Sequence, residues 1–358
     1  MTVSSDQPKA NAQRTLISVD AMGGDQGPAI VVAGCSESAA KNPDISFVLH
    51  GPAETLEPLV AKRPELAGRC TVRNATGVVT MGDKPSNVLR NGKDTSMWSA
   101  IESVRTGEAS VAVSCGNTGA LMAISMIRLK KMAGVNRPAI AVLYPSTGPQ
   151  GFNVMLDVGA DIRADADDLL RFALMGKSYA RNGMGIERPR IGLLNVGTEE
   201  HKGRTELKEA YELIRDAADE AEFDFVGFVE GSDLSGDVAD VIVTDGFTGN
   251  VAIKTGEGTA TLIGNGLREA FQHSIWSRIS ALFAYGSLAR VRKRFDPRRV
   301  NGGVFLGLNG TVVKSHGAAD ATGVSSAIKL AARLAESEFT NRLAARVATA
   351  PPVKEIEE

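Results

Sequence analysis

Short apolar runs recurring between longer helix-like stretches constrain this chain more than any other feature. They are "LISVD" (Leu16–Asp20), "SFVLH" (Ser46–His50), "VAVS" (Val111–Ser114), "IAVLY" (Ile140–Tyr144), "NVMLD" (Asn153–Asp157), "IGLLNV" (Ile191–Val196), "FVGFVE" (Phe225–Glu230) and "VIVTD" (Val241–Asp245). Helical patterns such as "ADADDLLRFALMGKSYARN" and "RTELKEAYELIRDAADEAE" lie between many of them. Strands that are apolar throughout, rather than at alternate positions, belong in a sheet covered on both faces. The alternation therefore predicts an α/β fold with a mostly parallel, Rossmann-like sheet and helices on both sides. With 358 residues and 43% hydrophobic content, the chain is long enough for one large core. One α/β domain is expected over residues 15–348, flanked by disordered tails at 1–14 and 349–358.

Charge and cysteine usage exclude several classes. The formal net charge is −2, so no global positive field points to a nucleic-acid partner. The three cysteines, Cys35, Cys70 and Cys115, are odd in number and lack metal-ligand spacing, which fits a reducing compartment. The polar start "MTVSSDQPKANAQRT" has no signal-peptide core, and no apolar run is long enough to span a bilayer. These features predict a soluble, cytoplasmic protein.

Glycines follow the strands: "DAMGGDQGP" after the first, then "CGNTG", "NVGTEEHKG" and "TDGFTGN", with "GGVFLGLNG" and "KSHG" near the end. In an open parallel sheet, ligands bind outside the carboxyl ends of the strands. Glycine lets backbone N–H groups approach a ligand closely, and a helix starting just afterwards adds its positive end. Such loops gather Asp20, Gly23, Gly24, Asp25, Gly116, Asn117, Thr118, Gly119, Asn195, Thr198, Glu199, Asp245, Gly246, Thr248, Gly249, Asn250 and His316. Convergence of the loops on one crevice would make an anion site. Lys84, Arg90 and Lys93 surround a helix start at Pro85; they suit either a solvated face or a docking site for an acidic partner.

Familiar chemistries are missing from the sequence: no GxSxG elbow, no HExxH, no Walker A loop. "DAMGGDQGP" lacks the spacing of a dinucleotide fingerprint, so a nicotinamide- and metal-dependent hydroxy-acid dehydrogenase is the weaker alternative. Of the four histidines, His316 sits among glycines near the expected crevice, and His201 and Lys202 follow the "NVGTEE" loop. Cys115 lies between a strand and a helix start, where a thiol is either an activated nucleophile or a small buried hydrophobe.

The motifs "DAMGGDQGP", "GDKPS", "SCGNTGAL", "NRPAI", "LLNVGTEEHKG", "TDGFTGNV" and "SHG" follow one another from about Ile17 to about Leu334. In this combination the chain resembles the bacterial acyl-acyl-carrier-protein:phosphate acyltransferases of phospholipid synthesis. The resemblance implies a fold related to phosphotransacetylases and to the isocitrate/isopropylmalate dehydrogenases. It also implies a homodimer that makes acyl phosphate from acyl carrier protein thioesters and inorganic phosphate. The product would pass to a membrane glycerol-3-phosphate acyltransferase. The family usually has alanine where Cys115 stands, which favours a structural cysteine. It commonly has asparagine where Asp161 stands, and often a further cation at the position of Gly92.

Phosphate is already an anionic nucleophile, so this reaction needs positioning and oxyanion stabilisation more than a base. Gly116, Asn117, Thr118 and Gly119 are expected to supply donors. Asp245, Gly246, Thr248, Gly249 and Asn250 are expected to shape the opposite wall. Lys202 is the expected cation, and His316 orients or protonates a reacting atom. For Asp25 and Asp245, capping of loop N–H groups is the expected role ahead of catalysis. No metal and no cofactor are called for.

One segment, residues 271–299, departs from the globular pattern. Ile275, Trp276, Ile279, Leu282 and Phe283 share a helical face and precede Arg290, Arg292, Lys293, Arg294, Arg298 and Arg299. This reads as an interfacial membrane contact at the inner face of the cell membrane. A dimer interface or an acyl carrier protein dock are the alternatives.

Overall fold

The computed structural model describes residues 14–294, 302–337 and 339–348. Its strands are β1 (Thr15–Asp20), β2 (Ile45–Gly51), β3 (Cys70–Asn74), β4 (Val111–Ser114), β5 (Ala139–Pro145), β6 (Phe152–Leu156), β7 (Arg190–Leu194), β8 (Asp224–Val229), β9 (Val241–Val243), β10 (Gly303–Leu306) and β11 (Thr311–Lys314). The helices are α1 (Pro28–Lys41), α2 (Ala53–Ala61), α3 (Pro85–Asn91), α4 (Ser96–Arg105), α5 (Thr118–Leu129), α6 (Ala166–Tyr179), α7 (Thr205–Ala217), α8 (Gly246–Gln272), α9 (Ile275–Arg294), α10 (Ala321–Glu336) and α11 (Phe339–Ala348). The tails expected at 1–14 and 349–358 lie, Arg14 apart, outside the described residues.

All eleven strands form one sheet in the order β3-β2-β1-β4-β11-β10-β5-β6-β9-β7-β8. Each expected strand is present. Three strands escaped the sequence reading. β3 is a half-exposed edge strand, so it lacks a continuous apolar run. β10 and β11 are four residues each and bounded by glycines, so they read as loop.

The sheet is mixed in one respect that governs everything downstream. β1, β2, β3, β4 and β11 run parallel, and β5 shares their direction because it and β11 are both antiparallel to the intervening β10. β6 then pairs antiparallel with β5, and β9, β7 and β8 follow β6. The second half of the sheet therefore runs opposite to the first.

Alternate strand residues feed two apolar layers. On one face Ile17, Val19, Val111 and Val113 meet Val31 and Cys35 of α1 and Val324 and Ile328 of α10. On the other, Ala112, Val312 and Phe305 meet Met97 and Ile101 of α4 and Leu121 and Ile124 of α5. Burial on both faces explains why these strands are apolar at successive positions.

His50 is a polar exception in this core. It is fully buried, with Nε2 2.9 Å from Ser18 Oγ and Nδ1 2.8 Å from Ser99 Oγ. Burial, helped by the nearby Arg73 charge, pushes its pKa from 6.5 down to about 4. The unfolded chain thus takes up this proton at a higher pH than the folded one. Stability should fall as pH drops from 6.5 toward about 4, by on the order of 3 kcal/mol from this residue. Urea titrations across that window should show the slope in wild type and a shallower one in His50→Gln.

Candidate functional site

The strand-end loops fall into two groups, because the two halves of the sheet run in opposite directions. The loops after β1, β4 and β11 leave by one end of the strands; those after β6, β7 and β9 leave by the other. The expected single crevice is accordingly split within one chain.

In the first group, register sets Asp20, Ser114 and Lys314 side by side at the ends of three adjacent parallel strands. The Asp20 carboxylate is buried and accepts hydrogen bonds from Ser96 Oγ and Ser114 Oγ, both at 2.7 Å. Burial raises its pKa, against the pull of these hydroxyls and of the Met22 and Gly23 backbone N–H groups. The loops interlock so tightly that only glycine fits at Gly23, where a Cβ would stand 2.6 Å from Gly116 N and 2.7 Å from Asp20 Oδ2. Gly24, at φ +100°, lies against Cys115 and the Gly317 carbonyl, and Asp25 N donates to that carbonyl at 2.8 Å.

Asn117 proves to be a clamp. Its Oδ1 caps α5 by accepting from Ala120 N at 3.0 Å, while Nδ2 donates to the carbonyls of Met81 and Asp83, also at 3.0 Å. The side-chain donors expected to face a ligand are therefore spent on the 80–83 loop. Gly116 N is likewise engaged, donating to Ser114 Oγ at 3.0 Å. First-turn N–H groups have no carbonyl within their own helix, which leaves those of Thr118 and Gly119 as the donors this loop presents. His316 is exposed at the end of β11, its Nδ1 accepting from Ala318 N at 3.4 Å.

Cys115 is free and buried, and burial raises its thiol pKa. That is the opposite of an activated nucleophile. Lys314 was missed from sequence; the available signal was a lysine closing the apolar strand "TVVK" just before "SHG". Its Nζ donates to the Cys115 carbonyl at 3.0 Å and to the Ser315 carbonyl. Burial pushes its pKa down to about 8, opposed by Cys115, Asp20 and Asp25.

Around this group, α3 packs on α5 and carries the basic rim. Lys84 caps α3, and Lys84, Arg90 and Lys93 are all exposed. Gly92 is buried, and a Cβ there would meet the Val88 carbonyl at 2.5 Å, so a further cation needs a different local backbone.

In the second group, Lys202 pairs with Glu199 at 2.8 Å, which raises its pKa. Arg204 pairs with Asp245, whose Oδ1 also caps α8 through Thr248 N at 2.7 Å. Asn250 Nδ2 donates to the Val158 carbonyl at 3.1 Å. Asp157 accepts from the N–H groups of Ile140, Gly159, Ala160 and Asp161 at 2.8–3.1 Å. Gly246 and Gly249 press on this turn, since a Cβ at Gly249 would stand 2.0 Å from the Asp157 carbonyl oxygen. These two glycines, expected to line a ligand wall, serve helix packing. Asp161 pairs with Arg137 of the "NRPAI" motif. Asn195 is buried and its Oδ1 has no hydrogen-bond partner, among the described residues, beside Gly203.

From this second group α8 and α9 project as a helical hairpin. Ser277, Ala281, Ala284 and Leu288 form the half-buried side of α9. Ile275, Trp276, Leu282 and Phe283 are 72–87% exposed, and Ile279 is 38% exposed. No helix among the described residues is long and apolar enough to cross a membrane. Arg298 and Arg299 of the expected basic cluster lie outside the described residues.

Two substitutions separate scaffold from chemistry. Cys115→Ala should keep the protein's activity within about twofold, because burial raises the thiol pKa and leaves it no activated sulfur to lose. Gly23→Ala forces two loop backbones apart and should lower both turnover and melting temperature, as a core overpacking of about 1–3 kcal/mol does. Steady-state rates and thermal melts of the two variants check both statements.

Comparison with known proteins identifies the family and the fold. A family model described as "Fatty acid synthesis protein" matches residues 15–342. A phosphate acyltransferase from Roseobacter denitrificans is 72% identical over 351 residues, covering 98% of each chain. One from Paracoccus denitrificans is 73% identical, covering 93% of this chain and 90% of that one. Among solved structures, a phosphotransacetylase from Streptococcus pyogenes superposes with a TM-score of 0.59 at 16% identity, covering 91% of this chain and 95% of that one. The EutD phosphotransacetylase from Staphylococcus aureus gives 0.56 at 14% identity, covering 90% and 94%. The α/β fold is thus that of phosphotransacetylases, and the chain belongs to the fatty acid synthesis protein family, as an enzyme of its phosphate acyltransferase branch.

Proposed function

We propose that this enzyme moves a fatty acyl group from acyl carrier protein to inorganic phosphate by direct attack of phosphate on the thioester. The observation that carries this reading is the β4–α5 loop, where α5 opens with the first-turn N–H groups of Thr118 and Gly119 a few residues beyond the in-register Asp20–Ser114–Lys314 row. A phosphate oxygen bonds to the thioester carbonyl carbon, the carbonyl oxygen takes the negative charge, and the carrier thiolate leaves. Holding the two reactants together is worth up to about 7–11 kcal/mol of barrier. Each preorganised oxyanion donor contributes about 2.7–4 kcal/mol. Asn117 acts by holding that loop, His316 orients or protonates a reacting atom, and Lys202 supplies charge from the second group. The rim of Lys84, Arg90 and Lys93 receives the acidic carrier protein.

Because the two loop groups leave opposite ends of the sheet, a homodimer completes the site by setting one protomer's first group against its partner's second. Exposed Val196, Phe247 and Val251 beside the second group support this reading, since such apolar surface is covered in a stable protein. The outer residues of α9 rest on the inner face of the cell membrane. There the acyl phosphate product meets the glycerol-3-phosphate acyltransferase that consumes it.

Incubation with palmitoyl-acyl carrier protein and phosphate should give phosphate-dependent acyl phosphate, trapped as its hydroxamate. No product at any chain length would overturn the assignment. Asn117→Ala should cost about 10²–10³ in rate if loop placement sets the oxyanion donors. Co-expression of Asn117→Ala with Lys202→Ala should recover about a quarter of wild-type activity, since random pairing leaves half of the dimers with one intact shared site. No recovery would place both groups in one protomer's site. Co-sedimentation with anionic vesicles should fall about tenfold or more in Trp276→Ser/Phe283→Ser, at about 0.8 kcal/mol per buried CH₂.

A further inference from the structure

Lys314 holds a half-buried charge at the end of an apolar strand. It closes β11, in register with Ser114, which is in register with Asp20 on its other side. Strands stand about 4.8 Å apart, so the three side chains form one row across the sheet end. Asp20 is already occupied by Ser96, Ser114 and two backbone N–H groups. Lys314 instead donates to two neutral carbonyls, those of Cys115 and Ser315. An ammonium has three donors, and two carbonyl dipoles do not neutralise it. Holding such a charge partly out of water still costs free energy, and an apolar side chain of similar length would fill the space without that cost. The position at the strand end, beside the start of α5, points to what the charge is for.

We propose that the third N–H of Lys314 binds the phosphate substrate between the ends of β4 and β11. This deepens the acyl-transfer reading and rests on it. Phosphate held there accepts from Lys314 on one side and from the first-turn N–H groups of Thr118 and Gly119 on the other. The dianion restores charge balance in the row and keeps the lysine protonated while bound. Binding transfers no proton and breaks no bond. The titratable groups facing the ammonium are Asp20 and Asp25 from β1 and its loop, Cys115 from the end of β4, and His316 on its own loop. The free lysine loses its proton near pH 8, so phosphate affinity should weaken above that pH while carrier-protein affinity does not.

Lys314→Met and Lys314→Arg test this in the full-length protein. Lys314→Met should raise the KM for phosphate at least tenfold and leave that for acyl carrier protein within about twofold. Lys314→Arg should restore much of the phosphate affinity and remove its weakening near pH 8, because guanidinium stays charged. A wild-type phosphate KM in Lys314→Met, or an unchanged alkaline limb in Lys314→Arg, would overturn the proposal. If Lys314→Met does not fold, the arginine profile decides alone. A second readout needs no acyl donor: inorganic phosphate should raise the melting temperature of wild type and not of Lys314→Met. Protection by phosphate without turnover would refute the acyl-transfer reading and keep the phosphate site. Absence of protection in wild type, or equal protection in both, would refute the site.

Discussion

The antiparallel pairing of β5 with β6 is the constraint on which the rest of the structure hangs. A tight connection closed by Ser146 N donating to the Gly151 carbonyl reverses the chain at mid-sheet. Every strand beyond it then runs opposite to the first half. Ligand loops in α/β proteins sit at strand carboxyl ends, so this one reversal sends two sets of loops to two ends of the sheet. A sheet parallel throughout would have gathered Asn117 and Lys202 on one rim.

Within each loop group, close packing and buried polarity do different jobs. Glycines let backbones meet where a Cβ has no room, as between Gly23 and Gly116 or between Gly249 and Asp157. Carboxylates then hold those meetings in place: Asp20 by accepting from two serines, Asp157 by gathering four backbone N–H groups, Asp245 by capping α8 and pairing with Arg204. Most of the polar residues near the sheet ends are therefore scaffold. The first-turn N–H groups of α5 and the half-buried Lys314 are less completely engaged by the scaffold.

The α8–α9 hairpin obeys another rule. At 1.5 Å per residue, the 27 residues of α8 carry it about 40 Å, away from the strand end where it starts. On α9 the small residues Ser277, Ala281 and Ala284 and the larger Leu288 are half-buried, while Ile275, Trp276, Leu282 and Phe283 face outward. An exposed apolar surface of this kind marks a contact with something outside the chain.

The sequence by itself determined the fold class, because strands apolar at every position have no stable place except a sheet covered on both faces. It located eight of the strands and the glycine loops after them, since local pattern carries both, but left Cys115 open between an activated thiol and a small buried hydrophobe. It did not reveal β3, whose edge position removes the apolar run, nor β10 and β11, whose brevity hides them among glycines. Only the tertiary structure decided strand direction, and with it which loops share an end. Hydrogen-bond pairing between strands distant in sequence sets that direction, and a strand's own residues read the same whichever way it runs. The same reason separates Asn117 from Lys314. An asparagine in a glycine loop looks free until the 80–83 loop folds onto it, and a lysine ending an apolar strand looks exposed until its neighbours in the sheet half-cover it.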